Sequence, residues 1–270
     1  MPDATAPLDV ARVRDMLAGT RFADVRYVLE TDSTNADAQA LLGDAAAHGA
    51  TLAAEYQRAG VGRKGRAWLA PPRSSLLFTT LLPEPVAASV LWAMPFWISL
   101  AAAAGVERAA GVRLDLVWPN DLHAHGRKAG GILSVARISG DVAWVGCGVG
   151  INVRRPPADS TLDALQPQPL FLSDLERSVE RERVLAAILH AFDESLGDFE
   201  HPAEIAHAWE LRAGLRGTEY RYRRDADGIE RDGTALRLGP HGTLVLQGAN
   251  GAETAIDMAD VRILKDSNRS

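Results

Sequence analysis

Residues 86–106 read VAASVLWAMPFWISLAAAAGV and contain no charged side chain. A helical run of that length and composition either crosses a bilayer or is buried on all sides in a protein core. Pro95 near its middle, its alanine content and the absence of a Lys/Arg cluster just outside either end favour the core. The sequence therefore predicts a long buried helix over residues 86–110, broken or kinked at Pro95, because proline lacks the amide proton that the helix ladder needs. With 270 residues, 47% of them hydrophobic, the chain has enough material for one large domain and a small one around that helix.

A second stretch points to chemistry. Residues 55–68, EYQRAGVGRKGRAW, place Gly60, Gly62 and Gly65 among Arg58, Arg63, Lys64 and Arg66, and residues 56–83 contain no acidic side chain. Glycines let backbone N–H groups approach an anion, and guanidinium and ammonium groups supply counter-charge. The plain alternative is a solvated basic loop. The chain as a whole is acidic, with net charge -6 and pI about 5.7, which argues against DNA or RNA as a partner. Cys147 is the single cysteine, so no intrachain disulfide forms and a reducing compartment is expected. The opening MPDATAPLDV has neither a basic nor an apolar signal region, so a cytoplasmic location and no membrane partner are expected.

Periodicity predicts a short amphipathic helix over 8–17, a strand over 25–30, and a helix from Ser33, as its N-cap, to about Gly43. Strands are expected at 51–56, 75–82 and 112–117, then a hairpin of strands at 131–136 and 142–153. Residues 154–170 are loop-like, and helices are expected at 172–199 and 203–213. Past Gly217 the period changes to short strands separated by DADG, RDG and GPHG turns, the pattern of a small β-barrel. The expected division is therefore 1–215 and 216–270. Asn120 and Asp121 read as a turn after Pro119. Asp121, His123 and His125 alternate, either as metal ligands on one strand face or as part of a loop flanking Lys128.

Four segments in chain order resemble the signature of biotin protein ligases. They are Asp32-Ser33-Thr34-Asn35, residues 57–68, Trp118-Pro119-Asn120-Asp121-Leu122 with GRKAGGIL at 126–133, and GVGINV at 148–153. The resemblance implies an α+β fold: a catalytic domain like that of class II aminoacyl-tRNA synthetases, followed by an SH3-like β-barrel. It implies two-step chemistry, in which biotin attacks the α-phosphorus of ATP, with Mg²⁺, and biotinyl-5'-AMP then acylates a lysine of a biotin carboxyl carrier protein. Two anions must meet in the first step, and each close like-charge pair costs on the order of 4 kcal/mol at an effective dielectric near 20.

On the resemblance, Ser33, Thr34, Asn35 and Gln57 hold the head of biotin, and Gly60 and Gly62 bring the loop backbone close to it. Lys128 and Arg63 serve both biotin and catalysis, Lys128 as the main catalytic cation. Arg63, Lys64, Arg66, Trp68, Asn120, Asp121 and Asn152 serve the nucleotide, and the metal ligands stay unassigned. Two positions depart from the pattern: Val61 stands where the family usually has Arg, and Val117 where it usually has Lys, which implies weaker retention of the adenylate. The rival readings are a lipoyl or octanoyl ligase, a biotin-responsive repressor and a catalytically weak biotin-binding relative. The stretch up to Thr31, with Arg and Asp/Glu in balance, fits no DNA-binding domain, which makes the expected form the short one. A homodimer is left open.

Overall fold

A computed structural model describes residues 6–157, 162, 165 and 168–264. Helix α1 (Val10–Met16) starts at Asp9, whose carboxylate accepts the Arg12 N–H at 3.0 Å. Strands β1 (Val25–Thr31) and β2 (Thr51–Gln57) pair in parallel, so the chain must cross between them, and helix α2 (Thr34–Leu41) lies on that crossover. Strand β3 (Ser75–Leu81), the short β4 (Val86–Ala87) and helix α3 (Met94–Ala110) come next. Strands β5 (Asp115–Val117), β6 (Asp121–Ala124), β7 (Arg127–Ser139) and β8 (Val142–Asn152) complete an eight-stranded sheet of order β1-β2-β3-β8-β7-β6-β5, with β4 paired to β8 off that path. After helices α4 (Arg181–Ser195) and α5 (Pro202–Ala213) comes an antiparallel five-stranded sheet, ordered β12-β11-β10-β9-β13. Its strands are β9 (Glu219–Arg224), β10 (Glu230–Leu238), β11 (Leu244–Gln247), β12 (Glu253–Ile256) and β13 (Val261–Leu264). The expected mixed fold with a large sheet and a small terminal β unit is the one observed.

The charge-free run is spent on the core, but not as one kinked helix. Residues 88–93 wind as a 3₁₀ turn and α3 begins at Met94. Pro95 therefore falls in the first turn, where no amide proton is required of it, and it starts the helix rather than bending it. Trp97 stacks on Phe192 of α4 at 4.7 Å between ring centroids, and Phe96 meets Trp209 of α5 at 5.1 Å. Gly105 lets α3 and α4 touch: a Cβ there would lie 2.5 Å from Cα and 2.6 Å from N of Ile188. Backbone atoms cannot rotate away, so Gly105→Ala should lower the unfolding free energy by about 1–3 kcal/mol despite alanine's better helix propensity. A fall in the urea midpoint checks this; an unchanged midpoint would mean that the two helices separate without cost.

Three other boundaries move. The expected helix over 172–199 is a 3₁₀ turn at Leu172–Asp174, then α4, then a second 3₁₀ turn at Leu196–Glu200. The first turn stays apart because Asp174 is held by the Phe171 N–H at 3.1 Å and by Arg155 at 2.6 Å. The strand at 112–117 shortens to β5, and β7 begins at Arg127, which puts Lys128 inside a strand rather than ahead of one.

A continuous apolar core runs from α3, α4 and the large sheet into Tyr220, Leu244 and Val261 of the small one. Trp118 Nε1 donates to the carbonyl of Gly242 at 3.1 Å across the same junction. One ion pair sits inside this packing: Glu55 of β2 and Arg181 of α4, with side chains 5% and 2% exposed. Glu55 also accepts from Tyr27 Oη at 2.7 Å and from the Leu8 N–H at 3.1 Å, and Arg181 donates to the Ala6 carbonyl at 3.0 Å. The segment before α1, both parallel strands and α4 are thereby fastened at one point.

Candidate active site

The α2 N-terminus, the end of β2 and the middle of β7 and β8 surround a cavity of about 980 Å³ that extends to the small sheet. At one end stand Ser33, Thr34, Asn35 and Gln57. Ser33 occupies the N-cap position, yet its side chain makes no capping bond, so the expected cap is a cap in place only. The Thr34 N–H and hydroxyl both reach Gln57 Oε1, at 2.8 and 3.1 Å, and Asn35 Nδ2 donates to the Leu133 carbonyl at 3.0 Å. Every member of the predicted head group except Ser33 is thus oriented by a partner.

The basic stretch folds as a narrow hairpin. Gly62 N donates to Arg66 O at 2.7 Å, Trp68 N donates to Gly60 O at 2.8 Å, and Val61 pairs with Ala67. Its tip needs left-handed backbone at Lys64 (φ 56) and Gly65 (φ 71), which only the glycine adopts without strain. Gly60 packs under the hairpin, where a Cβ would meet Trp68 O at 2.9 Å, and it does not line the cavity. Arg63, Lys64 and Arg66 do. Arg58 turns away to pair with Asp32 and Glu30, each at 2.8 Å.

Arg63 donates to the Met258 carbonyl, and Lys64 pairs with Asp225, so the hairpin tip rests on the small sheet and its turns. Burial pulls the Arg63 guanidinium below its usual pKa, with Asp121 acting in the opposite sense. The hydrogen bond from Lys64 holds the Asp225 carboxyl below the usual carboxylate range.

Lys128 and Asp121 meet across β7 and β6, Nζ to Oδ1 at 2.6 Å. Two local features aim them. His125 (φ 49) and Gly126 (φ 71) form a two-residue hairpin loop, and a bulge at Leu122/His123 shifts the register between the strands. Lys128 Nζ also lies 5.2 Å from the centre of the Trp68 ring. That ring lies over glycines: a Cβ on Gly150 would be 2.8 Å from Trp68 Cζ2, and one on Gly131 3.3 Å from Cζ3.

Two predicted residues are used differently. Asn120 Nδ2 donates to the Ile132 carbonyl at 2.7 Å while its residue still lines the cavity. Asn152 is buried outside the lining, and its Nδ2 donates to Leu170 O at 3.2 Å and Lys128 O at 3.4 Å. Both amides brace the strands that carry Lys128.

Sequence reasoning missed Thr79, Asp225, Met258 and Gly131. Asp225 and Met258 lie far along the chain in a unit with no motif, whereas Gly131 is inside GRKAGGIL and was legible as a position of close approach. Among the described residues no three His, Cys, Asp or Glu side chains converge as a metal site, so the alternation of Asp121, His123 and His125 is not a metal clamp here. Burial pushes the Cys147 thiol up, which leaves it inert.

A family model described as "Biotin/lipoate A/B protein ligase family" matches residues 27–152. The chain is 31% identical over 247 residues to a biotin--[acetyl-CoA-carboxylase] ligase of Mycobacterium tuberculosis, spanning 84% of this chain and 86% of that one. It is 30% identical over 231 residues to the enzyme of the same name from Paracoccus denitrificans, spanning 81% of this chain and 96% of that one. Its fold superposes on the biotin protein ligase of Aquifex aeolicus, solved in complex with biotin and ATP, with a TM-score of 0.71 at 23% identity, covering 90% of this chain and 99% of that one. The hydrogen-bonded head, the cationic hairpin and the Lys128–Asp121 pair thus sit on a chain that belongs to the biotin/lipoate protein ligase family, among its biotin protein ligases.

Proposed function

We propose that this chain is an ATP-dependent ligase that activates biotin as biotinyl-5'-AMP and transfers it to a lysine of a biotin carboxyl carrier protein. The observation that carries this reading is a single cavity with a polar head at Ser33, Thr34, Asn35 and Gln57 and a ring of cations at Arg63, Lys64, Arg66 and Lys128. In the first step the biotin carboxylate attacks the α-phosphorus and pyrophosphate leaves. In the second the carrier's neutral amine attacks the acyl carbonyl, AMP leaves and the amine proton passes to solvent. Lys128 and Arg63 offset the repulsion between carboxylate and phosphate, and they count for more there than in water because the site is partly walled off.

Trp68 covers the joined anions, and Lys64 and Arg66 meet the outer phosphates. Mg²⁺ would be brought by the triphosphate rather than held by a resident site among the described residues. A nucleotide-borne Mg²⁺ needs only one or two protein carboxylates, and Asp121 is the carboxylate beside Lys128 that would hold it. The ion would supply further charge neutralisation. The working division is a catalytic unit to residue 215 and a smaller unit from 216, with the cytoplasm as the proposed location.

Release of pyrophosphate on mixing the protein with biotin and ATP, followed by labelled biotin appearing on a carrier domain, tests the reading. Turnover with lipoate in place of biotin would overturn it. Val117 lines the cavity beside the WPND turn, at the position where the family pattern implied by the resemblance has lysine. Val117→Lys should therefore slow release of biotinyl-5'-AMP about tenfold, the equivalent of one screened charge interaction of about 1.4 kcal/mol. An unchanged off-rate would show that the missing cation is already replaced.

A further inference from the structure

We infer that Thr79, which lies beneath the head of the cavity and does not line it, sets the donor–acceptor polarity by which this site selects its acid. This inference rests on the proposed reading of the site as a biotin pocket. Thr79 is fully buried on β3 opposite Gly148. The absence of a side chain at Gly148 leaves room for Asn35, since a Cβ there would overlap Asn35 Oδ1 and the Leu133 carbonyl.

Proton counting fixes the directions. Asn35 Nδ2 donates to Leu133 O at 3.0 Å, so Oδ1 is the atom that faces Thr79 Oγ1 at 2.7 Å. A carbonyl oxygen only accepts, so the one proton of the Thr79 hydroxyl goes to Asn35. Thr34 Oγ1 lies 2.9 Å from Thr79 Oγ1 and 3.1 Å from Gln57 Oε1. With the Thr79 proton committed, those two oxygens are the acceptors the protein offers the Thr34 proton, and Thr34 Oγ1 donates to Gln57 Oε1. With that bond made, the proton is spent inside the protein and Thr34 meets a ligand with lone pairs.

Gln57 is fixed in the same manner: its Oε1 takes the Thr34 N–H at 2.8 Å, so its Nε2 presents donors. The head therefore offers an acceptor at Thr34 and donors at Gln57, with the Ser33 hydroxyl available in either sense. A cyclic urea, with N–H groups flanking a carbonyl, satisfies that set. A dithiolane ring satisfies none of it and leaves buried polar atoms without partners, the situation that yields the strongest rejection. Thr79 touches no ligand; it is a positioning residue that acts through Thr34 and Asn35.

Thr79→Val keeps the shape and removes the hydroxyl. Calorimetric titration should show biotin binding weakened roughly 10- to 100-fold, from the penalty of one or two buried groups losing partners. ATP affinity should stay within twofold of wild type, and Thr79→Ser should restore biotin affinity to within threefold. Should the valine variant fail to fold, Thr79→Ala serves the same comparison. A hydroxyl-free variant that binds biotin as wild type does, or that loses ATP and biotin affinity equally, or a serine variant that fails to rescue, would overturn the inference. Wild-type protein that binds no biotin would overturn the proposed function, and this inference with it.

Discussion

Lys128→Ala should cut biotin-dependent pyrophosphate release by about 10²- to 10³-fold, the range seen when one preorganised stabiliser of developing charge is removed. The lysine stands in β7, with its ammonium 2.6 Å from Asp121 and over the face of Trp68, so strand and ring hold the charge at the wall of the cavity. Its removal does two things at once. It takes away a cation from the place where carboxylate and phosphate must touch, and it removes the ammonium that Asp121 pairs with at 2.6 Å beside them. The loss should fall on kcat more than on KM for biotin, because repulsion peaks as the acyl–phosphate bond forms. Lys128→Arg should recover only part, since a planar guanidinium does not occupy the place of a compact ammonium. Single-turnover measurement of biotinyl-5'-AMP formation isolates the step, and a loss below tenfold would remove Lys128 from its catalytic role.

The second large effect is on stability. Arg181→Met leaves the Glu55 carboxylate buried against Tyr27 and the Leu8 amide without its cation, a change that should cost about 3–5 kcal/mol. At this chain length that corresponds to a fall in Tm of roughly 10 °C. Glu55→Leu combined with Arg181→Met should recover more than half of it, because the cost comes from the stranded charge and not from lost packing. Burial alone would raise the pKa of Glu55, but the hydrogen bonds from Arg181 and Tyr27, with the Arg181 charge, hold it below the usual value.

The pH dependence follows from that direction. In the wild type the stabilisation is present above the ordinary glutamate pKa and is lost as pH falls through the lower folded value. In Arg181→Met burial dominates and the folded pKa rises, so the penalty grows with rising pH and shrinks below the raised value. The stability gap between the two proteins should therefore be wide at neutral pH and narrow in acid. A gap independent of pH would show that Glu55 is not the group left behind.

The sequence made legible what depends on local pattern. The apolar run at 86–106 was legible as core rather than a membrane span from its proline, its alanines and its flanks, whereas Ser33, Thr34, Asn35 and Gln57 were grouped at one ligand by the resemblance alone. Of the break or kink expected at Pro95 the structure shows the break, placed just before the proline because a 3₁₀ turn leads into α3 there and has no periodic signal in the sequence. Asn152 was read as a ligand group from its place in a motif, yet its amide is consumed by the carbonyls of Leu170 and Lys128. Such spending is set by tertiary neighbours distant along the chain. Thr79 shows the same limit from the other side: a threonine in a run of strand formers looks like β propensity, and only the approach of Asn35 gives its hydroxyl a task.

The moorings of the hairpin tip carry one more consequence. Arg63 and Lys64 are tied to Met258 and Asp225, on turns that belong to the small sheet. On the proposed function, neither cation could serve those anchors and an incoming phosphate at full strength, so a phosphate that binds them would compete with the tethers. Linkage would make that competition reciprocal: loss of these two tethers would tighten nucleotide capture, and a captured nucleotide would weaken the tethers by the same free energy. The smaller sheet is in this sense a counterweight on the latch of the larger one.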